Sequence, residues 1–463
     1  MTQKISSARY IAFEAFIQVM EYRKKPEDEL LRLYAESGKD LKRVDKNLAK
    51  EILYGSLRWY SKIYWILQHT SSRKLIDVSP QIRAALILGT YQIFYLDKIP
   101  ERAAVNESSE YVRSCGQGQA VSFVNGILRQ IARRAEYFAK PDKKTKPVDY
   151  LSLQFAHPEW MVGRWEKRFK FEKIEGMLAA NNQPPPVFIR VNTLKTAVND
   201  IQNLQHELLK EEHIHSNREN LKTCLSLKKF PDVGEASFFG QGFYTIQDQA
   251  SQLIAYLVDP RPEEKIVDAC AGPGGKVTHL FEMSEGKADI QAVEKSPTAA
   301  QKIIQNIKRL QFDNPKFKKI ELIEQDFLTF EPETKPHKIL LDAPCSGLGV
   351  LRRHPEGKWL KKPSVIDDRK ILQRQLIEKA LGLLPVGGEL IYSVCSYEPE
   401  ECEDHFRWLG TFEDKIEYVS PVSRLPDYFK RYVTRDNIFM VFSGNQDLMD
   451  GFSAFIVKLK SLW

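Results

Sequence analysis

The chain reads as three successive domains. These are an all-α domain over residues 1–140, a small α+β linking domain over 148–245, and a C-terminal α/β domain over 246–463 with a doubly wound, Rossmann-like sheet. Three observations carry this reading. In ARYIAFEAFIQVM, LAKEILYGSLRWYSKIYWIL and QIRAALILGTYQIFYL, apolar residues recur at three- and four-residue spacing without strand alternation. From about Ala250 onward, short apolar runs alternate with amphipathic helical stretches. The first of those runs leads into a glycine-rich turn, DACAGPGGK, ending at Lys276.

Taken in order, the helical pattern runs from Ser6 to about Phe138. Asp45 and Ser79 are candidate caps, and Pro100 and Gly116–Gly118 mark breaks. The charged, proline-bracketed stretch Pro141–Pro147 reads as a linker. Pro158–Ala180 reads as a helix stopped by Asn181-Asn-Gln-Pro-Pro-Pro186, followed by a strand at Val187–Val191, a helix over about 197–211, and short strands to about Tyr244. In the last domain KIVDAC, IQAVEK, IELIEQD, KILLDAP and GELIYSV read as strands, with TAAQKIIQNIKRL and RKILQRQLIEKALGLL as helices.

Composition narrows the function. No run approaches the ~18 apolar residues of a membrane span, and the polar start lacks a secretory core, so a cytoplasmic protein without membrane partners is expected. Six cysteines in 463 residues are too sparse for a disulfide framework, and no CxxC pair suggests a metal site. Residues 1–150 carry 26 Lys and Arg against 17 Asp and Glu, or +9, while the remainder carries −2 of the total +7. The N-terminal segment is therefore the candidate polyanion surface.

The chemistry concentrates at strand ends. Gly272, Gly274 and Gly275 let backbone approach a ligand closely, within a turn formed by Cys270, Ala271, Gly272, Pro273, Gly274, Gly275 and Lys276. The next strand closes on Glu294, placed for a ribose hydroxyl pair, and the third on Asp326. Three ligand-facing positions at successive strand ends fit an adenosine-containing cofactor. Two further strands deliver thiols, in Asp342-Ala-Pro-Cys345-Ser346 and Ser393-Val-Cys395-Ser396. A lone cysteine among apolar residues is more often a small hydrophobe than a nucleophile. Two at the ligand-binding edge of one sheet suggest covalent chemistry beside a bound cofactor. Arg352, Arg353, His354, Lys358 and Trp359, just beyond, offer charge and a stacking face.

DACAGPGGK, LDAPCSGLGVLRRHPEGKW and YSVCSYEPEE resemble the signatures of the RsmB/Sun (Fmu) group of RNA 5-methylcytosine methyltransferases, over about residues 240–463. The segment containing LYGSLR (to Arg58), Val105-Asn-Glu and Phe123–Arg129 is similar to the RNA-binding NusB domain, a fusion characteristic of that group. Asn181–Pro186 and Arg190-Val-Asn192 resemble the group's linking element. The resemblance implies S-adenosyl-L-methionine as cofactor and a cytosine of 16S rRNA as substrate. It also implies Cys395 as nucleophile toward C6, Cys345 as the residue assisting release, and Asp342 as partner of the N3/N4 edge of the base and as a further cofactor-binding residue. Two departures are visible: Val394 stands where the group usually has Thr, and Glu294 where it more often has Asp. A monomer acting on RNA and not DNA is expected. The same chemistry on tRNA, and a non-catalytic NusB-like assembly factor, are the competing readings.

Overall fold

The computed structural model describes residues 5–38, 41–134, 141–228 and 236–463. They form two compact units: residues up to 184 together with 351–363, and residues 185–350 together with 364–463. The sequence-read end of the first domain, residue 140, lies outside the described residues. The boundary between the two units falls after residue 184, inside the segment 148–245, so that the helices Pro147–Gln154, Glu159–Glu166 and Phe171–Asn181 lie in the first unit and the strands that follow lie in the second. The continuous helix expected over Pro158–Ala180 is thus broken, at residues 167–170.

In the first unit the long helix Arg43–Thr70 packs with Ser7–Tyr22 and Pro80–Tyr95 around Phe13, Ile52, Leu53 and Leu86, all fully buried. Ser79 caps its helix as expected, its hydroxyl accepting from the Ile82 N–H at 3.3 Å with Pro80 at the first helical position. Asp45 does not cap. The helix begins one turn earlier, and Asp45 lies in its first turn, where a carboxylate still favours the positive end of the helix dipole.

The segment 351–363 folds into this unit. The Trp359 Nε1–H donates to the Leu57 carbonyl at 2.6 Å, and the Trp359 and Tyr60 rings lie 5.3 Å apart. Lys358, 1% exposed, donates to the carbonyls of Arg58 and Ala156 at 3.1 and 3.2 Å and to Asn182 Oδ1 at 2.6 Å. Burial, reinforced by the nearby Arg58 charge, holds the Lys358 amine well below the usual lysine range. The expected charged and stacking loop is corrected here. Arg352 and Lys358 are buried, Trp359 is committed to the helix beneath it, and of the five residues His354 is the exposed one. A lysine stem is long enough to reach three converging oxygens, which composition cannot distinguish from a solvated cation.

In the second unit, β1 (Val187–Val191), β2 (His215–Arg218), β3 (Cys224–Lys228) and β4 (Tyr244–Ile246) form an antiparallel sheet in the order β2-β3-β1-β4. The helix Ile201–Glu212 buries Ile201, Leu204 and Leu208 in the same core as Ile189 and Val191.

The larger sheet contains β5 (Lys265–Asp268), β6 (Asp289–Val293), β7 (Ile320–Ile323), β8 (Lys338–Asp342), β9 (Glu389–Val394), β10 (Ile416–Val419), β11 (Phe439–Val441) and β12 (Phe452–Leu459). Its order is β10-β12-β9-β8-β5-β6-β7, with β11 also on β12. β5 to β9 are mutually parallel and coincide with the five expected strands, while β12 enters antiparallel to β9. The chain leaves β5 toward β6 and β7 and then crosses back to β8. This reversal opens a crevice at the carboxyl ends of β5 and β8, the general ligand position of open α/β sheets. No helix among the described residues is long and apolar enough to cross a membrane.

Candidate active site

At the end of β5 the chain enters the glycine turn. Gly274 adopts φ +102°, open to glycine at little cost, and precedes the helix Gly275–Met283. At Gly272 the constraint is space. A Cβ there would lie 2.5 Å from Glu294 Oε2 and 2.7 Å from the Ala299 Cβ. Glu294 braces the turn, one carboxylate oxygen accepting from the Gly272 N–H at 2.9 Å and the other from the Ser296 N–H at 2.7 Å.

The turn lines a cleft of about 170 Å³ together with Asp268, Asp342, Ile246, Gln247 and Ser251. Of the expected cofactor residues, Cys270, Ala271, Gly272, Pro273, Gly275, Lys276 and Asp342 line it. Gly274 sits within the same turn, and Glu294 touches the cleft through Gly272. Asp326 caps the following turn, its Oδ1 accepting from the Leu328 N–H at 3.0 Å, and lies 3.7 Å from Lys295 Nζ with its side chain 44% exposed.

Three residues that sequence reasoning left unassigned shape this cleft. Asp268 is fully buried, and neither carboxylate oxygen has a hydrogen bond of good geometry to a described residue. Burial, then the neighbouring Asp342 charge, push its carboxyl up to about 7 against the pull of Lys276. Arg190, on β1 and also fully buried, donates to both oxygens of Glu282 at 2.9 and 3.1 Å, to the Gly275 carbonyl at 2.7 Å and to Gln247 Oε1. Gln247 in turn donates to Ser251 Oγ at 3.2 Å. Asp268 was inside the quoted motif. Arg190 was inside the stretch that resembles the linking element and stands alone as a charge on a strand otherwise apolar at every position.

Asp342 ends β8. Its Oδ2 accepts from Lys276 Nζ at 2.6 Å and its Oδ1 from Ser393 Oγ at 2.7 Å. Burial alone would lower the Lys276 pKa, but the Asp342 carboxylate, joined by Asp268 and Cys395, outweighs it and the ammonium is held above the usual range. Cys345 and Cys395 follow β8 and β9, neighbouring parallel strands in which Asp342 pairs with Ser393. Their sulfur atoms lie 3.1 Å apart, and both residues are partly exposed. The hydrogen bond to Cys395, then burial, hold the Cys345 thiol well above the usual cysteine range. Cys270 is likewise pushed up by burial, so it meets the cleft as a neutral thiol. The backbone at Cys395 is pinned by the Gly349 N–H, which donates to its carbonyl at 3.1 Å. Glycine is required there because a Cβ on Gly349 would lie 2.1 Å from the Gly451 carbonyl oxygen.

This arrangement combines a cleft suited to a small ligand with positive and donor groups, a carboxylate–ammonium pair, and two adjacent thiols. Comparison with known proteins agrees. The family model described as 16S rRNA methyltransferase RsmB/F matches residues 255–452, that of the NusB family residues 6–133, and that of the RsmF/B-like ferredoxin-like domain residues 157–234. The Probable ribosomal RNA small subunit methyltransferase B of Bacillus subtilis is 31% identical over 438 residues, 93% of this chain and 94% of the relative. The Ribosomal RNA small subunit methyltransferase B of Cronobacter sakazakii is 31% identical over 78% of this chain and 81% of its own. A methyltransferase homolog protein from Pyrococcus horikoshii has a solved structure of TM-score 0.55 at 25% identity, covering 66% of this chain and 97% of its own. Another solved chain covers 99% of this one and 100% of itself at TM-score 0.80 and 22% identity, a likeness of fold. With relatives aligned over nearly the full length and all three domain models in chain order, the chain belongs to the RsmB/F family of 16S rRNA methyltransferases.

Proposed function

We propose that this chain methylates C5 of a cytosine in 16S rRNA through a covalent adduct between Cys395 and C6 of the base. The observation that carries this reading is the sulfur pair, 3.1 Å apart at the ends of adjacent strands and beside Asp342. S-adenosyl-L-methionine, as methyl donor, would supply an electrophilic methyl group from its sulfonium. The residues present fit it. Asp268 offers two buried carboxylate oxygens short of donors to a cationic ligand, the turn from Cys270 to Lys276 offers a close backbone, and Glu294 and Asp326 are the candidate carboxylates for its ribose side.

Cytosine C5 is a weak nucleophile until a thiolate adds to C6 and makes the C5 position enamine-like. Cys395 is assigned that addition. Asp342 is assigned the base edge. Facing the Lys276 ammonium, its carboxylate is a hydrogen-bond acceptor suited to the N4 amino group, and each oxygen retains a lone pair beyond its present partner. After C5 has taken the methyl group, the C5 proton passes to solvent water, its electron pair re-forms the C5=C6 bond and the Cys395 sulfur departs, with the Cys345 thiol, 3.1 Å away and held protonated, placed to donate to that sulfur. A base in a stack must be extruded to reach such a pocket, at a cost of a few kcal/mol that is lower in loops. The +9 charge of residues 1–150 supports the helical unit as the RNA-holding part.

The test is methyl transfer to 16S rRNA. Cys395→Ala is expected to lose at least about a thousandfold in kcat, as removal of a nucleophile does, with cofactor binding by calorimetry retained. Substantial residual turnover would overturn the assignment. Bisulfite sequencing of RNA from cells lacking this chain should lose one 16S cytosine signal, and loss of a tRNA signal instead would overturn the substrate.

A further inference from the structure

Behind the two thiols lies a buried polar cluster that the mechanism above leaves unused. Glu401 is fully buried. One of its carboxylate oxygens accepts from the Ser346 backbone N–H at 2.6 Å and from Gln373 Nε2 at 3.1 Å, and the other from Ser346 Oγ at 2.5 Å. Gln373, also fully buried, donates through the same Nε2 to the Pro344 carbonyl at 3.0 Å. The two peptide units flanking Cys345 are therefore both gripped, Pro344 C=O by Gln373 and Ser346 N–H by Glu401.

The cluster is itself fixed. Gln373 Oε1 lies 3.1 Å from His405 Nε2, and burial holds His405 down at about 4, so the ring is neutral near pH 7 and presents Nε2–H to an oxygen that can only accept. This sets which way the Gln373 amide faces. The Tyr392 hydroxyl donates to the Glu401 carbonyl at 2.6 Å, anchoring the carboxylate's own backbone to β9. No described cation pairs with Glu401, whose charge is met by hydrogen-bond donors alone. A buried carboxylate is costly unless so satisfied. Its grip on Ser346, the residue that follows a reacting thiol, gives that cost a use.

We propose that Glu401 and Gln373 are positioning residues for Cys345, holding its thiol at the Cys395 sulfur so that the adduct can be resolved. The inference rests on the role given to Cys345 above. The negative charge of Glu401 also contributes to keeping that thiol protonated, after the larger effects of Cys395 and burial.

The experiment uses the full chain with 16S rRNA and S-adenosyl-L-methionine, comparing Glu401→Gln, Gln373→Met and Cys345→Ala. Both positioning variants should lower kcat by about ten- to a hundredfold, the range for a reacting group displaced by about 1 Å. KM for RNA and cofactor should stay within about twofold, and a covalent RNA–protein adduct should persist on denaturing gels, as in Cys345→Ala. A merely structural role would not trap adduct. If folded Glu401→Gln and Gln373→Met turn over normally, or lose activity without adduct while Cys345→Ala accumulates it, this inference fails and the function stands. If Cys345→Ala is fully active and forms no adduct, the role of Cys345 fails and this inference with it. Should Glu401→Gln not fold, Gln373→Met, which keeps the side-chain shape and removes the grip on Pro344, decides alone.

Discussion

A buried carboxylate short of well-formed hydrogen bonds persists only where another interaction compensates for it. Asp268 is such a group, facing a cleft whose other charges are the Asp342–Lys276 pair. Its pKa, raised to about 7, lies above that of an exposed aspartate, so between about pH 4 and 7 the folded chain binds the extra proton and its stability falls as pH rises through that window. Binding of a cationic cofactor has the opposite slope, because it needs the ionised form. Affinity for S-adenosyl-L-methionine should therefore strengthen as pH rises through about 7. In Asp268→Asn it should be weaker by about ten- to a hundredfold, corresponding to loss of a charged hydrogen bond, with the pH dependence flattened. Calorimetry at pH 6 and 8 checks both, and an equal pH slope in variant and wild type would assign the titration to another group.

At the scale of elements, β1 of the small sheet holds the glycine turn of the large one. Arg190 reaches from β1 to the Gly275 carbonyl, to Gln247 on the cleft wall and to Glu282 on the helix that follows the turn. Arg190 and Glu282 are both almost wholly buried, and burial raises the Glu282 carboxyl while Arg190 opposes it. Removing one partner of such a pair leaves an uncompensated charge. Arg190→Met should cost about 3–5 kcal/mol in chemical denaturation, whereas the double variant with Glu282→Leu should recover much of that loss. A single variant within about 0.5 kcal/mol of wild type would show that the pair does not brace the turn.

At the scale of the whole molecule, the chain leaves its second unit after Val350, contributes residues 351–363 to the helical unit, and returns at Ser364. The LYGSLR stretch that resembles an RNA-binding signature supplies the Leu57 and Arg58 carbonyls to Trp359 and Lys358. Removing residues 1–140 would therefore also strip partners from 351–363 and cannot isolate RNA docking. Charge reversal at exposed lysines and arginines of the helical unit is the cleaner test. Lys358→Met should leave Asn182 Oδ1 and two main-chain oxygens short of a donor and destabilise the helical unit by about 1–3 kcal/mol. Limited proteolysis should then cut within 351–363. Unchanged stability and protection would mean that those oxygens find water instead.

Periodicity, glycine chemistry and strand-end placement determined most of what this protein is. The helical segment, the five parallel strands, the turn at Gly272–Gly275, and the delivery of Asp342, Cys345 and Cys395 to one sheet edge follow from local pattern, because α/β alternation dictates which strand ends face a ligand. The last antiparallel strands were less legible. β12 is an almost wholly buried apolar run, whose pattern does not separate strand from helix until its distant partners β9 and β10 are known. Only tertiary structure decided the rest. It brought two thiols fifty residues apart to 3.1 Å, left Asp268 with no hydrogen bond of good geometry, and turned Arg190, Lys358, Gln373 and Glu401 from polar residues into buried hubs. Burial and hydrogen-bond partners are properties of contacts distant in sequence, and a charged side chain reads the same in the sequence whether water or a ring of protein oxygens surrounds it.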